Sequence, residues 1–328
     1  MLKLKYLFHH TDLAIMLLNY WNFDEKSLEM FKHYRISSNA VYPFRWQGQV
    51  HLLRFAPKAE KLPSNILAEL DFISYLRSCR YGVLESVRSR QGEELVEADT
   101  PWGAYYASVF KRVPGVPMDK SDFGDDAIYC YGQALGRLHA LSGQYSPGPN
   151  RRWSHRDVLD WMQTALADFP DEQAARAETQ MLLDYFAAIP RSPERYGLIH
   201  YDFQCDNVFY DRASQACYAI DFDDAMYHWY AMDIAQALDS LKEEIPPDSL
   251  EHKQRRFMDG YAAEFALSGD WEELLPACRR FARAYRYVRV LRAKQEQWQH
   301  EPEWMTALRS RLAQRMRADS LDFGKSLW

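Results

Sequence analysis

The most informative stretch of this 328-residue chain is residues 200–207, which read HYDFQCDN. Asp202 precedes Asn207 by five positions within this short polar stretch. Fourteen residues beyond Asn207, an apolar strand-like run ends at Asp221, and the turn residues at 211–215 predict a hairpin between the two segments. Such a hairpin would bring the three side chains together, because the ends of its two strands are adjacent.

Three oxygen-bearing side chains at one end of a hairpin indicate a site for a hard cation. Mg²⁺ prefers oxygen ligands, and one or two protein side chains often hold it together with substrate phosphates. Asn207 and Asp221 supply such a pair, which leaves Asp202 free to act as a base on a hydroxyl group. The alternative interpretation is that Asp and Asn occur here only because they favour turns.

The spacing H-x-D-x-x-x-x-N followed by I-D-F resembles the catalytic and metal loops of the aminoglycoside phosphotransferase and choline kinase family. The resemblance implies an α+β, two-lobed protein-kinase-like fold, with a small antiparallel-sheet N-lobe and a larger, mostly helical C-lobe. It implies that Asp202 receives or orients the acceptor hydroxyl, and that Asn207 and Asp221 hold Mg²⁺ on ATP. His200 would support the loop. Gln204 stands where protein kinases carry a catalytic lysine, which favours the small-molecule branch of the family.

The boundary between the lobes is expected at the Pro- and Gly-containing turn 111–117. Residues 1–112 would then form the nucleotide-binding lobe, and residues 113–328 the catalytic and acceptor-binding lobe. Hydrophobic patterns predict strands and one helix in the first lobe, at 34–36, 41–44, 50–55, 66–76 (the helix) and 105–110. Beyond the turn, helical periodicity dominates apart from the strand-like runs around the two motifs.

The resemblance also assigns nucleotide contacts to the first lobe. Arg54 stands where the family carries a Lys or Arg that reaches the ATP phosphates, and Glu69 would pair with it from the predicted helix. A solvated surface charge is the alternative for each of these two residues. If the pair exists, it should be buried between strand and helix.

The phosphate-covering loop is expected at residues 37–40, which contain no glycine. Kinase-like domains usually place glycine there so that backbone N–H groups can approach the phosphates, so Ser38 and Asn39 would contact the nucleotide here. Residues 109–113 resemble the hinge that meets adenine, which makes Phe110 and Arg112 further candidate nucleotide contacts. Burial of an edge strand explains this last segment equally well.

Several other acidic residues near these motifs need separate interpretations. Asp157 follows a His-Arg pair as in protein kinases, but the residue five positions later is Met162, so a place at a helix N-terminus is predicted. Asp233 matches a family position that braces the catalytic loop. For Asp223 and Asp224, a role at the site and a surface turn are equally good explanations.

Two features bear on the acceptor and point in opposite directions. The aromatic run 227–230 could form a cage for a cationic acceptor, although core packing explains such a run more often. Residues 279–294 carry seven Lys or Arg in sixteen positions and no acidic residue. This stripe is either a solvated helix face neutralised by acidic residues elsewhere, or a contact for an anionic acceptor or an acidic partner.

Composition narrows the class of function. The net charge of −6 gives no overall attraction to nucleic acid or to an anionic membrane, and no apolar run is long enough to span a bilayer. Five scattered cysteines without metal spacing indicate a reducing, cytoplasmic location. We therefore expect an enzyme that uses ATP and Mg²⁺ to phosphorylate a hydroxyl group of a small-molecule partner resembling an aminoglycoside, choline or homoserine. The alternatives are a non-catalytic kinase-like binding module and a protein Ser/Thr kinase of the same family.

Overall fold

The computed structural model describes residues 1–267 and 269–327, and it has two lobes. Ser268 and Trp328, which the sequence assigns to the second lobe, lie outside the described residues. The helices are α1 (Thr11–Leu18), α2 (Pro63–Ser78), α3 (Asp125–Ser142), α4 (His155–Leu166), α5 (Gln173–Ala188), α6 (Ala231–Glu244), α7 (Pro247–Glu264), α8 (Trp271–Ala293) and α9 (Glu303–Asp319). The strands are β1 (Arg35–Ile36), β2 (Ala40–Trp46), β3 (Gln49–Pro57), β4 (Glu85–Val87), β5 (Val96–Thr100), β6 (Gly103–Lys111), β7 (Val116–Pro117), β8 (Tyr196–Ile199), β9 (Val208–Asp211), β10 (Ala216–Ala219) and β11 (Met226–Trp229).

The first lobe is built on an antiparallel sheet in the order β1-β2-β3-β6-β4, with β5 also paired to β6. One face of this sheet packs with α1 around a cluster that includes Leu17, Tyr42 and Leu53. Helix α2 instead places Leu70 and Ile73 in a cluster that extends into the second lobe. The helix therefore connects the sheet with the core of the larger lobe.

The strands and the helix predicted from periodicity in the first lobe are confirmed. Each predicted strand overlaps an observed one, and the predicted helix over 66–76 lies inside α2. Strands β4 and β5 were not predicted, because both are short and contain few apolar residues. In β5, for example, Val96 and Ala98 are buried whereas Glu97 is exposed. Their strand conformation depends on pairing with the long strand β6.

The second lobe is mostly helical and contains two small antiparallel sheets, in the orders β10-β9-β7 and β11-β8. The predicted hairpin is the β9–β10 pair, in which Tyr210 lies opposite Cys217. This arrangement confirms the predicted α+β, two-lobed protein-kinase-like fold. Within residues 1–267 and 269–327, no helix combines the length and the apolar character needed to cross a bilayer.

Glycines bring helices α3 and α7 into direct backbone contact. A Cβ atom added at Gly132 of α3 would overlap the carbonyl oxygen of Phe257 of α7, and one added at Gly260 of α7 would overlap the carbonyl oxygen of Tyr129. Protein interiors are close-packed, so neither backbone can move away without displacing its neighbours. The small residues therefore set the separation of these two helices.

We expect Gly132→Ala to lower the free energy of unfolding by about 1–3 kcal/mol, the usual cost of overpacking a core. Urea unfolding followed by circular dichroism measures this change. The matched control is Gly143→Ala at the end of the same helix, where an added Cβ would have its nearest neighbours at 3.6 Å and the backbone is right-handed. Equal stability of the two variants would contradict the close approach of α3 and α7.

Candidate active site

The loop between β8 and β9 brings together the residues of the first motif. Asn207 Nδ2 donates a hydrogen bond of 2.8 Å to Oδ2 of Asp202 and another of 3.1 Å to the Asp202 carbonyl oxygen. The Ile220 N–H donates to the Asn207 carbonyl oxygen at 2.9 Å, which ties the end of the hairpin to the loop. Asp202, Asn207 and Asp221 line the same cavity. The structure thus places the three predicted residues at one site, and their chemical roles stay predictions.

Asp233 and His200 hold the loop in shape, as the sequence predicts. Asp233 is buried, and its carboxylate accepts hydrogen bonds from the His200 and Tyr201 amides at 2.8 and 2.7 Å. Burial lowers the pKa of His200, so its ring is neutral. Its Nε2 then donates to the Ile220 carbonyl oxygen at 2.8 Å, while Nδ1 accepts from the Asp202 amide at 3.2 Å. The backbone on both sides of Asp202 is therefore fixed.

Two non-glycine residues at the site have a left-handed backbone. The φ angle is +68° at Tyr201 and +62° at Asp221. This conformation costs an L-residue about 1–2 kcal/mol, and Asp tolerates it better than most residues. The carboxylate of Asp233 holds the Tyr201 amide, so the surrounding hydrogen bonds compensate the strain. Strained backbone of this kind concentrates at functional sites.

The site concentrates negative charge in a buried environment. Burial raises the pKa of Asp202 to about 7, and the nearby Asp224 and Asp221 carboxylates act in the same direction. Burial likewise raises the pKa of Asp221 to about 6, with Asp223 adding to the shift and Arg54 opposing it. Burial and the neighbouring carboxylates thus both disfavour the charged forms of Asp202 and Asp221. A bound cation would favour them.

The donor set suits a metal that is shared with a ligand. Among residues 1–267 and 269–327, no group of three or more His, Cys, Asp or Glu side chains is arranged to hold a metal ion by itself. Asn207 and Asp221 offer an amide oxygen and a carboxylate, and Nδ2 of Asn207 is already engaged with Asp202. Oδ1 of Asn207 is the atom that remains to face a cation. Mg²⁺ is commonly bound in this way, with phosphates and waters completing the shell.

The Arg54–Glu69 pair predicted for the first lobe is present. Nη1 and Nη2 of Arg54 donate to Oε1 and Oε2 of Glu69 at 2.7 and 2.8 Å. The side chains are only 10% and 1% exposed, so the interpretation as solvated surface charges is wrong. The guanidinium also lies 4.7 Å from the ring centre of Phe110. The buried ring of Phe110 packs against the guanidinium of Arg54, in addition to any contact it makes with a nucleotide.

The glycine-free loop closes onto the second lobe. Nη2 of Arg289 in α8 donates to Oγ of Ser38 at 3.0 Å. Asn39 is buried and lines a small cavity together with Arg54.

In the hinge segment, Arg112 lies 5.6 Å from the ring centre of Phe209 and donates to the Val113 and Gly115 carbonyl oxygens at 3.1 Å. These residues lie where the two lobes meet.

Asp223 and Asp224 have charged partners that the sequence did not predict. Lys61 Nζ lies 2.6 Å from Asp223 Oδ2, and Arg289 Nη1 lies 2.6 Å from Asp224 Oδ2. Burial would raise the pKa of Asp223, but Lys61 and Arg54 outweigh burial and hold it well below its usual range. The Asp223 side chain is 11% exposed, so the surface-turn interpretation is wrong. No local signal links Lys61 to the metal loop.

The other secondary motifs are structural. Ser154 and Asp157 form a capping box at the start of α4, which confirms the predicted helix N-terminus. The aromatic run 227–230 contributes Trp229 and Tyr230 to the core, so it forms no exposed cage. The basic stripe of α8 is neutralised by acidic residues elsewhere in the chain, as one of its two interpretations predicted, because each of its arginines contacts a carboxylate. The face is not fully solvated, since Arg280 and Arg289 are only 6% and 17% exposed. The pairs are Arg279–Asp239, Arg280–Glu178, Arg283–Asp322, Arg286–Asp319, Arg289–Asp224 and Arg292–Glu60.

The first lobe contains a buried Arg–Glu pair, and the helical lobe contains an Asp–Asn loop and an Asp at the end of a strand. This combination defines a kinase-like phosphotransferase. Residues 35–277 match the phosphotransferase enzyme family. The chain belongs to this family, and it is a kinase that acts on a hydroxyl group.

Several of the proteins similar to this chain in sequence or structure are named as small-molecule kinases. Amicoumacin kinase of Bacillus subtilis (strain 168) is 25% identical over 250 residues, which cover 73% of each chain. A solved amicoumacin kinase in complex with AMP-PNP, Ca²⁺ and Ami has a TM-score of 0.76 at 20% identity, covering 98% of this chain and 97% of that one. A microcompartment-associated aminopropanol kinase has a TM-score of 0.64 at 21% identity, covering 97% of this chain and 100% of the other. At these identities the solved structures show the fold.

Proposed function

We propose that this protein transfers the γ-phosphate of ATP to a hydroxyl group of a small molecule, with Mg²⁺ as the cofactor. The observation that carries the proposal is the contact between Asp202 and Asn207 in the cavity that Asp221 also lines. The buried Arg54 lies on the other side of the lobe junction. The similarity to an amicoumacin kinase and to an aminopropanol kinase supports a small acceptor. The cytoplasmic location and the absence of a nucleic-acid or membrane partner are part of the same proposal.

Each residue of the catalytic loop has a separate task in this proposal. Bound Mg²⁺ would neutralise negative charge on the phosphate oxygens of ATP. Asn207 would hold it through Oδ1, and Asp221 through its carboxylate. Asp202 would orient the acceptor hydroxyl and accept its proton, and the hydrogen bond from Asn207 keeps its carboxylate turned into the cavity.

The nucleotide would lie between the lobes, with residues 1–112 on one side and residues 113–328 on the other. Arg54, oriented by Glu69, would contact the phosphates, because a guanidinium can pair with two phosphate oxygens at once. Ser38 and Asn39 would approach the phosphates from the glycine-free loop. Phe110 and Arg112 would lie beside the base. The present bond between Arg289 and Ser38 is compatible with this arrangement, since it holds the loop over the cavity.

The proposal is tested by following ADP formation with and without Mg²⁺ over a panel of hydroxyl acceptors. The panel contains amicoumacin, spectinomycin, 1-amino-2-propanol, choline and homoserine. We expect transfer to at least one small acceptor and none in the presence of EDTA. Mg²⁺-ATP binding without transfer to any acceptor would favour the non-catalytic module, and phosphorylation of casein alone would favour a protein kinase. Either result would overturn the proposal.

We expect Glu69→Gln to weaken Mg²⁺-ATP binding by about tenfold, because it removes the charge that orients Arg54. Isothermal titration calorimetry measures the dissociation constant. The matched control is Glu97→Gln in the same lobe, which breaks an exposed ion pair with Lys58 and should change affinity by less than about twofold. The same loss in both variants would mean that Arg54 has no special contact with the nucleotide.

A further inference from the structure

The cavity that contains Asp202 also receives side chains from the last two helices. It has a volume of about 360 Å³, and α8 and α9 contribute Arg286, Leu312 and Arg315 to its lining. A cavity of this size suits a compact ligand. The acceptor must reach Asp202 through this cavity, so the chemistry of its walls selects what can be phosphorylated.

Two guanidinium groups of this wall share one carboxylate. Arg286 donates from Nε and Nη2 to the two oxygens of Asp319 at 2.9 and 2.6 Å. Arg315 Nε lies 3.7 Å from Oδ1 of the same carboxylate. The Asp319 side chain is only 4% exposed, so it cannot contact the ligand directly. Among the described residues, no other carboxylate lies within 4 Å of either guanidinium, so the two positive charges share Asp319, and Glu243 acts on Arg286 only from a longer distance.

The two arginines also keep hydrogen-bond donors available. In the part of the chain that the structure describes, Nη1 of Arg286 and both Nη atoms of Arg315 donate to no protein acceptor. Arg315 is 54% exposed. The other acidic residues of the cavity wall do not neutralise this pair: Asp224 is bound by Arg289 and Asp223 by Lys61. The remaining acidic residues of the wall, Asp202 and Asp221, are those assigned to the hydroxyl and the metal.

The position of this arginine pair in the chain separates it from the phosphoryl-transfer machinery. The match to the phosphotransferase family ends at residue 277, whereas Arg286 and Arg315 lie beyond it. Asp202, Asn207 and Asp221 lie within the matched residues. The residues predicted to carry out the reaction thus lie within the matched part, and the two arginines lie outside it.

We propose that Arg286 and Arg315 bind an oxyanion group, a carboxylate or a phosphate, on the acceptor whose hydroxyl faces Asp202. This inference rests on the proposed function. A guanidinium pairs with an oxyanion through two parallel hydrogen bonds, which fixes the orientation of the ligand as well as its charge. Asp319 holds Arg286 in place for this contact. An acceptor with a cationic group at this position would be repelled.

The test compares anionic hydroxyl compounds with neutral partners that have the same carbon skeleton. The probes are gluconate against glucitol, 4-hydroxybutyrate against 1,4-butanediol, and glycerol 3-phosphate against glycerol. Each is titrated by calorimetry into the full-length protein saturated with Mg²⁺ and AMP-PNP. We expect at least one anionic probe to bind about tenfold or more tightly than its partner, as charge-assisted hydrogen bonds imply. The pair that shows the preference tells carboxylate from phosphate.

Variants of α9 assign the preference to the wall of the cavity. Arg315→Gln should remove it, with a loss of about tenfold or more in affinity for the anionic probe. The matched control, Arg311→Gln, removes an exposed arginine of the same helix that does not line the cavity, and should retain the preference.

Two outcomes would overturn the acceptor proposal alone: equal binding of both members of every probe pair, or the same loss in Arg311→Gln as in Arg315→Gln. In both cases the protein still binds Mg²⁺ and AMP-PNP. Failure to bind Mg²⁺ and AMP-PNP in the first titration would instead overturn the proposed function, and with it the acceptor proposal.

Discussion

Replacing Asp202 with asparagine is expected to slow phosphoryl transfer by about a hundredfold or more, the scale of losing a positioned general base. An amide keeps the size of the side chain and can still accept the hydrogen bond that Asn207 donates at 2.8 Å. It cannot take the proton of the acceptor hydroxyl. The loop should therefore keep its shape, and Mg²⁺-ATP binding should change by less than about twofold, so that binding and chemistry separate.

The measurement is kcat with the best acceptor, together with the dissociation constant for Mg²⁺-ATP. Asp206→Asn is the matched control, because it makes the same substitution in the same loop. Asp206 is partly exposed and its carboxylate lies 3.5 Å from Arg35, without a hydrogen bond to Asn207. We expect this control to keep nearly full activity. An Asp202→Asn protein with the wild-type rate would show that another group handles the proton.

Replacing Asp221 with asparagine is expected to raise the Mg²⁺ concentration needed for half-maximal activity by about tenfold or more. It should also lower kcat/KM by at least about a hundredfold, because charge stabilisation by a metal contributes several kcal/mol to the transition state. Asparagine tolerates the left-handed backbone that Asp221 adopts at φ +62°, so the substitution removes the negative charge with little effect on the backbone. The apparent affinity for Mg²⁺ and the rate of phosphoryl transfer should therefore fall together.

A titration of Mg²⁺ at fixed ATP shows this as a shift to higher concentration. Asp211→Asn serves as the control, since Asp211 lies at the opposite end of the β9–β10 hairpin and accepts a hydrogen bond from Ser214 at 2.6 Å. Its titration should coincide with that of the wild type. An unchanged titration for Asp221→Asn would exclude this carboxylate as a metal ligand.

Much of the fold could be predicted because its elements have strong local patterns. The apolar runs of β3 and β6 can be recognised in the sequence. In α2, apolar residues recur every three or four positions, which predicts a helix. Helix α1 was not predicted, because its apolar run is short and shows no clear periodicity. Strands β4 and β5 have too few apolar residues to be recognised, and only their pairing with β6 makes them strands.

The candidate site divides in the same way. Asp202 and Asn207 lie five residues apart in one loop, so their proximity follows from the chain itself. Asp221 joins them through a hairpin, whose geometry is also local. The Arg54–Glu69 pair spans fifteen residues and could be expected only from the resemblance. Lys61 and Asp223 are 162 residues apart, and no pattern in either segment indicated their contact.

The basic stripe of α8 shows what sequence determines and what tertiary structure decides. The sequence determined that this helix would carry positive charge in every turn, because seven of residues 279–294 are Lys or Arg and none is acidic. Which groups meet that charge was decided by folding: Arg289 bonds to Ser38 from 251 positions away, and Arg286 bonds to Asp319 from 33 positions away. Local sequence determined the helix and the positions of its charges, whereas the partner of a buried charge depends on which distant segments pack beside it.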